Sequence, residues 1–179
     1  MRYVRIPLER VGVVIGPGGE TKVQLERITG VQTRVDSEAG EVWIDDTNPK
    51  DPLMPLKAEE IVRAIARGFS PQHAFKLLGD EMYLHVYDIH DFVGKDKEDV
   101  RRVSARVIGS EGKTRRLIEE LTGCLLSVYG HTVALIGDLD SIETGKRACD
   151  MLLSGSEHSA VYRFLEGQRR KAKLARREF

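Results

Sequence analysis

Two glycine-bounded turns carry the clearest chemical pattern in this sequence. They occupy Gly16–Gly19 and Gly109–Gly112, and each follows a Val-Ile pair and precedes a helical pattern. Glycines at such positions let the chain turn sharply and let a ligand come close to main-chain N–H groups. Because a helix begins at the end of each turn, its positive end faces the same point. The pattern therefore favours binding of an anionic group such as a phosphate of a polynucleotide.

Basic side chains are denser after the second turn than after the first. Lys113, Arg115 and Arg116 follow the second turn directly, and together they should outweigh the negative charge of Glu111 within it. Cations in this position attract phosphate and make binding depend on salt. We therefore predict tighter binding at the second turn.

The first turn is less favourable for an anion. Pro17 stiffens it and removes one N–H donor. Its neighbouring bases are Lys22 and Arg34, and Glu20 opposes them. Both bounding glycines are nevertheless present, so contact with a polynucleotide at this turn remains open.

An internal repeat surrounds the two turns. The segments 14–35 and 107–128 are identical at nine of 22 aligned positions, and the similarity continues between 68–78 and 155–165. A duplication of this kind predicts two domains, at residues 1–79 and 80–179.

Each half predicts the same order of elements: a strand, two helices separated by the turn, a hairpin, a long amphipathic helix and an appended helix. Three strands covered by helices on one face make an α+β domain. Trp43 is expected to pack between sheet and helix, with base stacking as the alternative. The predicted strands are 3–7, 31–35, 42–44, 81–93, 124–129 and 132–136, and the predicted helices are 8–15, 20–28, 53–66, 70–78, 100–108, 113–121, 141–153 and 157–175.

The Val-Ile-Gly-x-x-Gly pattern, followed at a fixed distance by Thr-Gly, resembles the KH domain and occurs twice. The resemblance implies two tandem type I KH domains, each of which clamps about four nucleotides of single-stranded RNA. The expected RNA-binding residues are Ile15, Gly16, Pro17, Gly18, Gly19, Lys22 and Arg34 in the first domain and Ile108, Gly109, Ser110, Glu111, Gly112, Lys113, Arg115 and Arg116 in the second. An apolar groove floor is expected from Ile15, Val23, Val31, Val35, Ile108, Leu125 and Val128.

The layout of nearly the whole chain resembles an archaeal counterpart of one eukaryotic family of two-KH proteins that process pre-ribosomal RNA. The family is called partner of Nob one, or Dim-two. The features shared with it are the helix at Gly68–Leu78 and the Tyr-containing basic helix after the second domain. The family resemblance implies binding near the 3′ end of small-subunit ribosomal RNA during ribosome assembly. It also implies a maturation endonuclease and an rRNA dimethylase as protein partners.

The charge composition disfavours one class of nucleic-acid-binding protein and leaves two alternative functions open. Lys and Arg number 28, as do Asp and Glu, so the net charge of zero argues against a protein that coats nucleic acid indiscriminately. Residues 36–60 hold eight acids and two bases, which favours a protein-docking scaffold as an alternative. A generic KH regulator of messenger RNA is the other alternative.

Catalysis, cofactors and membranes are not expected. The segment 109–114 resembles a nucleotide-binding P-loop but lacks its first glycine, so no enzyme is predicted. His85 and the segment Asp88–Asp91 are too weak a pattern to predict a metal. No signal peptide is expected, the longest uncharged apolar stretch is too short to span a bilayer, and Cys124 and Cys149 form no disulfide pattern. These features fit a cytoplasmic protein.

Overall fold

The computed structural model describes residues 1–178, which form two compact units, Met1–Asp80 and a second unit from Glu81 onward. Each unit has one three-stranded antiparallel sheet with helices on one face, so the expected α+β class is confirmed. Within the described residues, no helix is both long enough and apolar enough to cross a lipid bilayer.

The first unit has its third strand in the centre of the sheet, in the order β1-β3-β2. Val42 and Ile44 on the central strand are fully buried beneath the long helix α3. Trp43 alternates with them and therefore lies on the outer face, against Tyr3, so the expected packing of Trp43 on a helix is wrong. The elements are β1 (Arg2–Arg5), α1 (Leu8–Ile15), α2 (Glu20–Thr29), β2 (Thr33–Asp36), β3 (Glu41–Ile44), α3 (Met54–Ala66) and α4 (Pro71–Ala74), with a 3₁₀ turn at Phe75–Leu78.

The second unit repeats this arrangement with the strand order β4-β6-β5. Its central strand is buried along its whole length, and α6 and α8 pack on the same core. The elements are β4 (Tyr83–Asp88), α5 (His90–Val93), α6 (Lys97–Ile108), α7 (Lys113–Thr122), β5 (Leu125–Tyr129), β6 (Thr132–Gly137), α8 (Leu139–Leu153) and α9 (His158–Arg177).

Several predicted elements differ in their bounds from the observed ones. The strand expected at 81–93 ends at Asp88, because the Asp88 carboxylate accepts a hydrogen bond from His90 N and starts the short helix α5. The helix expected at 70–78 divides into α4 and a 3₁₀ turn. Helix α6 also begins three residues earlier than expected, since Asp96 accepts hydrogen bonds from the Glu98 and Asp99 N–H groups.

A glutamate repeated in both units fixes the second helix of each turn to the sheet. Glu26 on α2 accepts a hydrogen bond from Thr33 N at 2.7 Å, and Glu119 on α7 accepts one from Leu126 N at 2.9 Å. Both glutamates therefore tie the helix that begins at the glycine turn to the first residues of the hairpin.

Candidate functional site: the glycine turns and the adjacent groove

The first glycine of each turn is required by the fold itself. Gly16 and Gly109 have φ angles of +77° and +74°. A Cβ atom added to either would lie 2.3 Å from the Oγ1 atom of the buried Thr21 or Thr114. No side chain fits in that space, so these two glycines allow the turn to pack against the next helix.

The second glycine of each turn faces open space. Gly19 and Gly112 have φ angles of +83° and +73° and cap the helices that follow. An added Cβ atom would meet no atom within 4 Å at Gly19, and at Gly112 only the ends of the Arg115 and Arg116 side chains, no nearer than 3.9 Å. The space beside these glycines is therefore accessible to a ligand.

The helices that begin at the turns have no side-chain cap. Their first N–H groups, those of Glu20 and Lys113, donate to carbonyl oxygens within the turns, Pro17 O and Ser110 O. The first turn of any helix leaves N–H donors without an intrahelical partner, and these donors attract anions. The two turns thus each present main-chain donors beside an open surface.

The middle of the second turn holds a strained residue. Glu111 has a φ angle of +53° and is the only non-glycine residue with positive φ among residues 1–178. The matching position in the first turn is Gly18, at +57°. A side chain in this conformation costs roughly 1–2 kcal/mol, and the exposed carboxylate adds a negative charge beside the helix start.

The cations near the second turn are more available than those near the first. Lys113 and Arg116 are exposed and have no ion-pair partner among the described residues, whereas Arg115 lies 3.3 Å from Glu119. Near the first turn, Lys22 lies 2.9 Å from Glu26. The structure thus supports the expected difference in positive charge between the turns.

The carboxyl group of Glu26 is easily ionised. Burial alone would raise the pKa of this carboxyl, but hydrogen bonds from Lys22 and Thr33 outweigh that effect and leave its pKa below the ordinary value. The carboxylate that pairs with Lys22 is therefore ionised at neutral pH, and it offsets the lysine charge.

Arg34 lies apart from the first turn. It alternates along β2 with the inward-facing Val35, and its guanidinium group lies on the outer face of the sheet, 5.8 Å from the centre of the Trp43 ring. The sheet therefore separates Arg34 from the other residues expected at this site.

A groove of about 720 Å³ lies beside the second turn, between α6 and the β5–β6 hairpin. Ile108 and Val128, both expected in the groove floor, line it. Its rim includes Lys97 and Arg101. Ser104 also lines the groove, and its buried hydroxyl has no hydrogen-bond partner among the described residues. The groove is therefore apolar at its base and positive at its edge.

Other expected floor residues are placed differently. Val31 is only 3% exposed and belongs to the core of the first unit, whereas Val23 is 60% exposed on α2. The sequence prediction also missed Lys97 and Arg101. Their spacing with Ile108 follows one face of a helix, and that periodicity was the available signal.

Arg106 is part of the scaffold. Its guanidinium group donates hydrogen bonds to the carbonyl oxygens of Leu152 and Ser156, at the end of α8. In the first unit, Arg10 donates in the same way to the carbonyl oxygens of Ile65 and Phe69 at the end of α3. These two arginines hold the helix before each turn to the long helix behind it.

Comparisons with known proteins match this architecture. Residues 83–170 match a family model for the second KH domain of PNO1, described as a eukaryotic-type KH domain of type I, and residues 1–51 match the KH domain model. The chain is 48% identical over 179 residues to the KH domain-containing protein MJ0443 of Methanocaldococcus jannaschii, covering 99% of this chain and 78% of that protein.

Two solved structures from Pyrococcus horikoshii are similar over most of the chain. The crystal structure of Dim2p is 46% identical with a TM-score of 0.87, and the match covers 92% of this chain and 97% of that one. A chain in the a/eIF2α–aDim2p–rRNA complex is 44% identical with a TM-score of 0.90, and the match covers 95% of this chain and 94% of that one.

Proposed function

The chain belongs to the PNO1/Dim2 family of KH-domain proteins, and on this premise we propose that it binds single-stranded RNA during ribosomal RNA processing, without catalysing a reaction itself. The proposed target is the 3′ region of small-subunit ribosomal RNA. The observation that carries the proposal is the open second turn, where a helix without a side-chain cap and two unpaired cations closely follow Ile108, a residue that lines the apolar groove. A related Dim2p occurs in a complex with rRNA.

The second unit supplies the main RNA contacts in this proposal. Main-chain N–H groups at the start of α7 bind the phosphates, and Lys113 and Arg116 add charge. Bases enter the groove over Ile108 and Val128. The proposed contact residues of this unit are Ile108, Gly109, Ser110, Glu111, Gly112, Lys113, Arg115 and Arg116.

The first unit contributes more weakly to RNA binding and, we propose, docks a protein. Its turn has the same open geometry, but Lys22 is paired with Glu26 and residues 36–60 carry a net negative charge. The proposed RNA contacts here are Ile15, Gly16, Pro17, Gly18, Gly19 and Lys22. A counterpart of a/eIF2α is the proposed partner, since the related complex contains that protein. A maturation endonuclease and an rRNA dimethylase are further proposed partners, on the family resemblance alone.

Charge substitution at the second glycine of each turn tests the RNA-binding role. Gly112→Asp places a carboxylate at the phosphate position, and aspartate tolerates positive φ better than most residues. Gly112→Asn has nearly the same shape without the charge, so it is the matched control. Gly19→Asp and Gly19→Asn form the same pair in the first unit.

We expect Gly112→Asp to weaken binding of a labelled 3′ small-subunit rRNA oligonucleotide about tenfold relative to Gly112→Asn, as measured by fluorescence anisotropy. The RNA affinities of Gly19→Asp and Gly19→Asn should differ by less. Equal RNA affinity of the two folded Gly112 variants would refute the role of this turn. An equal loss of RNA affinity at Gly19 and at Gly112 would refute the proposal that the second unit supplies the main RNA contacts.

The main alternative differs only in the RNA that is bound. A generic KH regulator of messenger RNA would use the same turn and groove. Crosslinking in cells followed by sequencing of the bound RNA distinguishes the two: enrichment of small-subunit rRNA ends supports the proposed target, and scattered messenger RNAs support the alternative. Both targets are consistent with a cytoplasmic location, which we also propose.

A further inference from the structure

Three side chains suited to metal binding meet at one edge of the second unit. Asp88 ends β4, His90 begins α5, and His131 lies in the turn between β5 and β6. Among residues 1–178, this is the one cluster of at least three His, Cys, Asp or Glu side chains whose donor atoms all lie within 4.8 Å of one another. We propose that Asp88, His90 and His131 bind a divalent transition-metal ion of the Zn²⁺ type.

The distances between donor atoms are close to those of a tetrahedral site. The Asp88 Oδ1 atom lies 3.1 Å from His90 Nδ1 and 3.0 Å from His131 Nδ1. Ligands placed about 2.1 Å from a zinc ion in tetrahedral geometry lie roughly 3.4 Å apart. Because all three donor atoms lie within 4.8 Å of one another, side-chain rotations can bring them around one ion.

The backbone already holds the three ligands in place. Ile89 N donates a hydrogen bond to His131 O at 2.8 Å, directly between the two segments. Asp88 is paired with Thr132 in the ladder of β4 and β6, and it also accepts the His90 N–H at 2.9 Å. Because these contacts form on folding, binding an ion requires little further ordering of the chain.

One oxygen atom of Asp88 lies close to three nitrogen atoms of the two histidines. Asp88 Oδ1 faces both imidazole Nδ1 atoms as well as the His90 N–H. The two imidazole rings are stacked, with centres 4.4 Å apart and planes 13° from parallel, so both rings lie on the same side of the carboxylate. An ion would replace the two imidazole contacts with coordinate bonds, and each neutral imidazole would then carry its proton on Nε2.

The carboxylate and the exposure of the site also suit a metal. Asp88 supplies a carboxylate oxygen, a ligand type that Zn²⁺ accepts together with imidazole nitrogens. The His131 side chain is 49% exposed, so an ion can reach the site from solvent. Three protein ligands leave one position of a tetrahedral ion for water or another oxygen.

The test uses the untagged full-length chain after treatment with a chelator. Co²⁺ is titrated while the visible absorption is followed, and Zn²⁺ is then added to displace it. The variants are His90→Gln, His131→Gln and the double variant, and His73→Gln is the matched control because His73 is an exposed histidine outside the cluster. Circular dichroism checks that each variant is folded.

We expect about one equivalent of Co²⁺ to bind with the intense absorption of a four-coordinate site and to be displaced by Zn²⁺. Each single cluster variant should weaken binding by about tenfold or more, and His73→Gln should leave it unchanged. Zn²⁺ should also raise the Tm of the wild-type chain but not that of the folded double variant. Lack of a saturable Co²⁺ spectrum in the wild type, or equal binding by the double variant, would overturn the proposal.

Discussion

At the scale of single residues, three positions of each glycine turn have different structural roles. The first glycine makes room for a buried threonine, while the last opens a surface at the helix start. The position before the last glycine differs between the units, since glycine in the first turn is replaced by Glu111 in the second. The second turn therefore carries both a conformational cost and a repulsive charge at the place where we propose that phosphate binds.

Glu111→Gly should increase both the stability of the protein and its affinity for RNA. We expect the free energy of unfolding to rise by about 0.5–1 kcal/mol, because glycine adopts positive φ without steric strain. RNA affinity should also rise, since a carboxylate leaves the phosphate site. Denaturant unfolding and fluorescence anisotropy measure the two effects.

Glu111→Gln separates the two effects, because it removes the charge and keeps the strained backbone. It should raise RNA affinity without a gain in stability. A Gly variant no more stable than the Gln variant would show that the positive φ angle carries no cost in the native protein.

At the scale of helices and strands, basic residues within one helix have separate roles. Arg106 on α6 is partly buried and donates to carbonyl oxygens at the end of α8, whereas Arg101 on the same helix is exposed at the rim of the groove. Arg106 thus stabilises the fold, whereas Arg101 belongs to the proposed RNA-binding surface.

Substitution of these arginines by methionine should therefore give opposite results. Arg106→Met removes two hydrogen bonds from a charged group to carbonyl oxygens, and we expect a loss of stability of about 2–4 kcal/mol. Arg101→Met should change stability by less than about 0.5 kcal/mol. It should weaken RNA binding and lower the slope of log affinity against log salt by about one.

Arg102→Met is the control for an exposed arginine of α6, since its one ion-pair partner among residues 1–178 is Asp99, at 3.0 Å. The assignment of roles would be contradicted if Arg106→Met left the thermal transition unchanged. It would also be contradicted if Arg101→Met had no effect on the salt dependence of RNA binding.

The sequence predicted local features of these elements better than long-range ones. Both bounds of α1 were predicted correctly, because a helix pattern and the glycine after it are encoded within a few residues. The pairing of Lys22 with Glu26 was missed. The sequence shows that a basic residue lies near the turn, but it does not show whether that side chain contacts a ligand or a carboxylate of the protein. The meeting of His90 with His131 depends on the pairing of β4 with β6, which local patterns do not specify.

At the scale of the whole molecule, each unit is nearly neutral, with 11 bases and 12 acids at 1–80 and 17 bases and 16 acids at 81–179, and charge is concentrated in local segments. Acidic residues are concentrated within the first unit, at 36–60, and the second unit carries the exposed cations beside its turn. Equal numbers of acids and bases therefore do not prevent one unit from attracting RNA while the other docks a protein.

The single tryptophan allows the two proposed roles to be observed separately. Trp43 lies on the outer sheet face of the first unit, beside Tyr3 and within the acidic segment 36–60. Incorporating 5-fluorotryptophan gives one ¹⁹F resonance from this unit, even when unlabelled partners contain tryptophan. We expect the a/eIF2α counterpart to shift or broaden this resonance, and the rRNA oligonucleotide to leave it nearly unchanged.

Gly112→Asp is the matched control for this experiment. It should weaken RNA binding about tenfold, while the a/eIF2α counterpart still changes the Trp43 resonance, because the substitution and the fluorine label lie in different units. A large shift caused by RNA alone would place the RNA on the first unit. Loss of the protein-induced shift in the variant would mean that the second unit, and not the acidic segment 36–60 of the first unit, docks the partner.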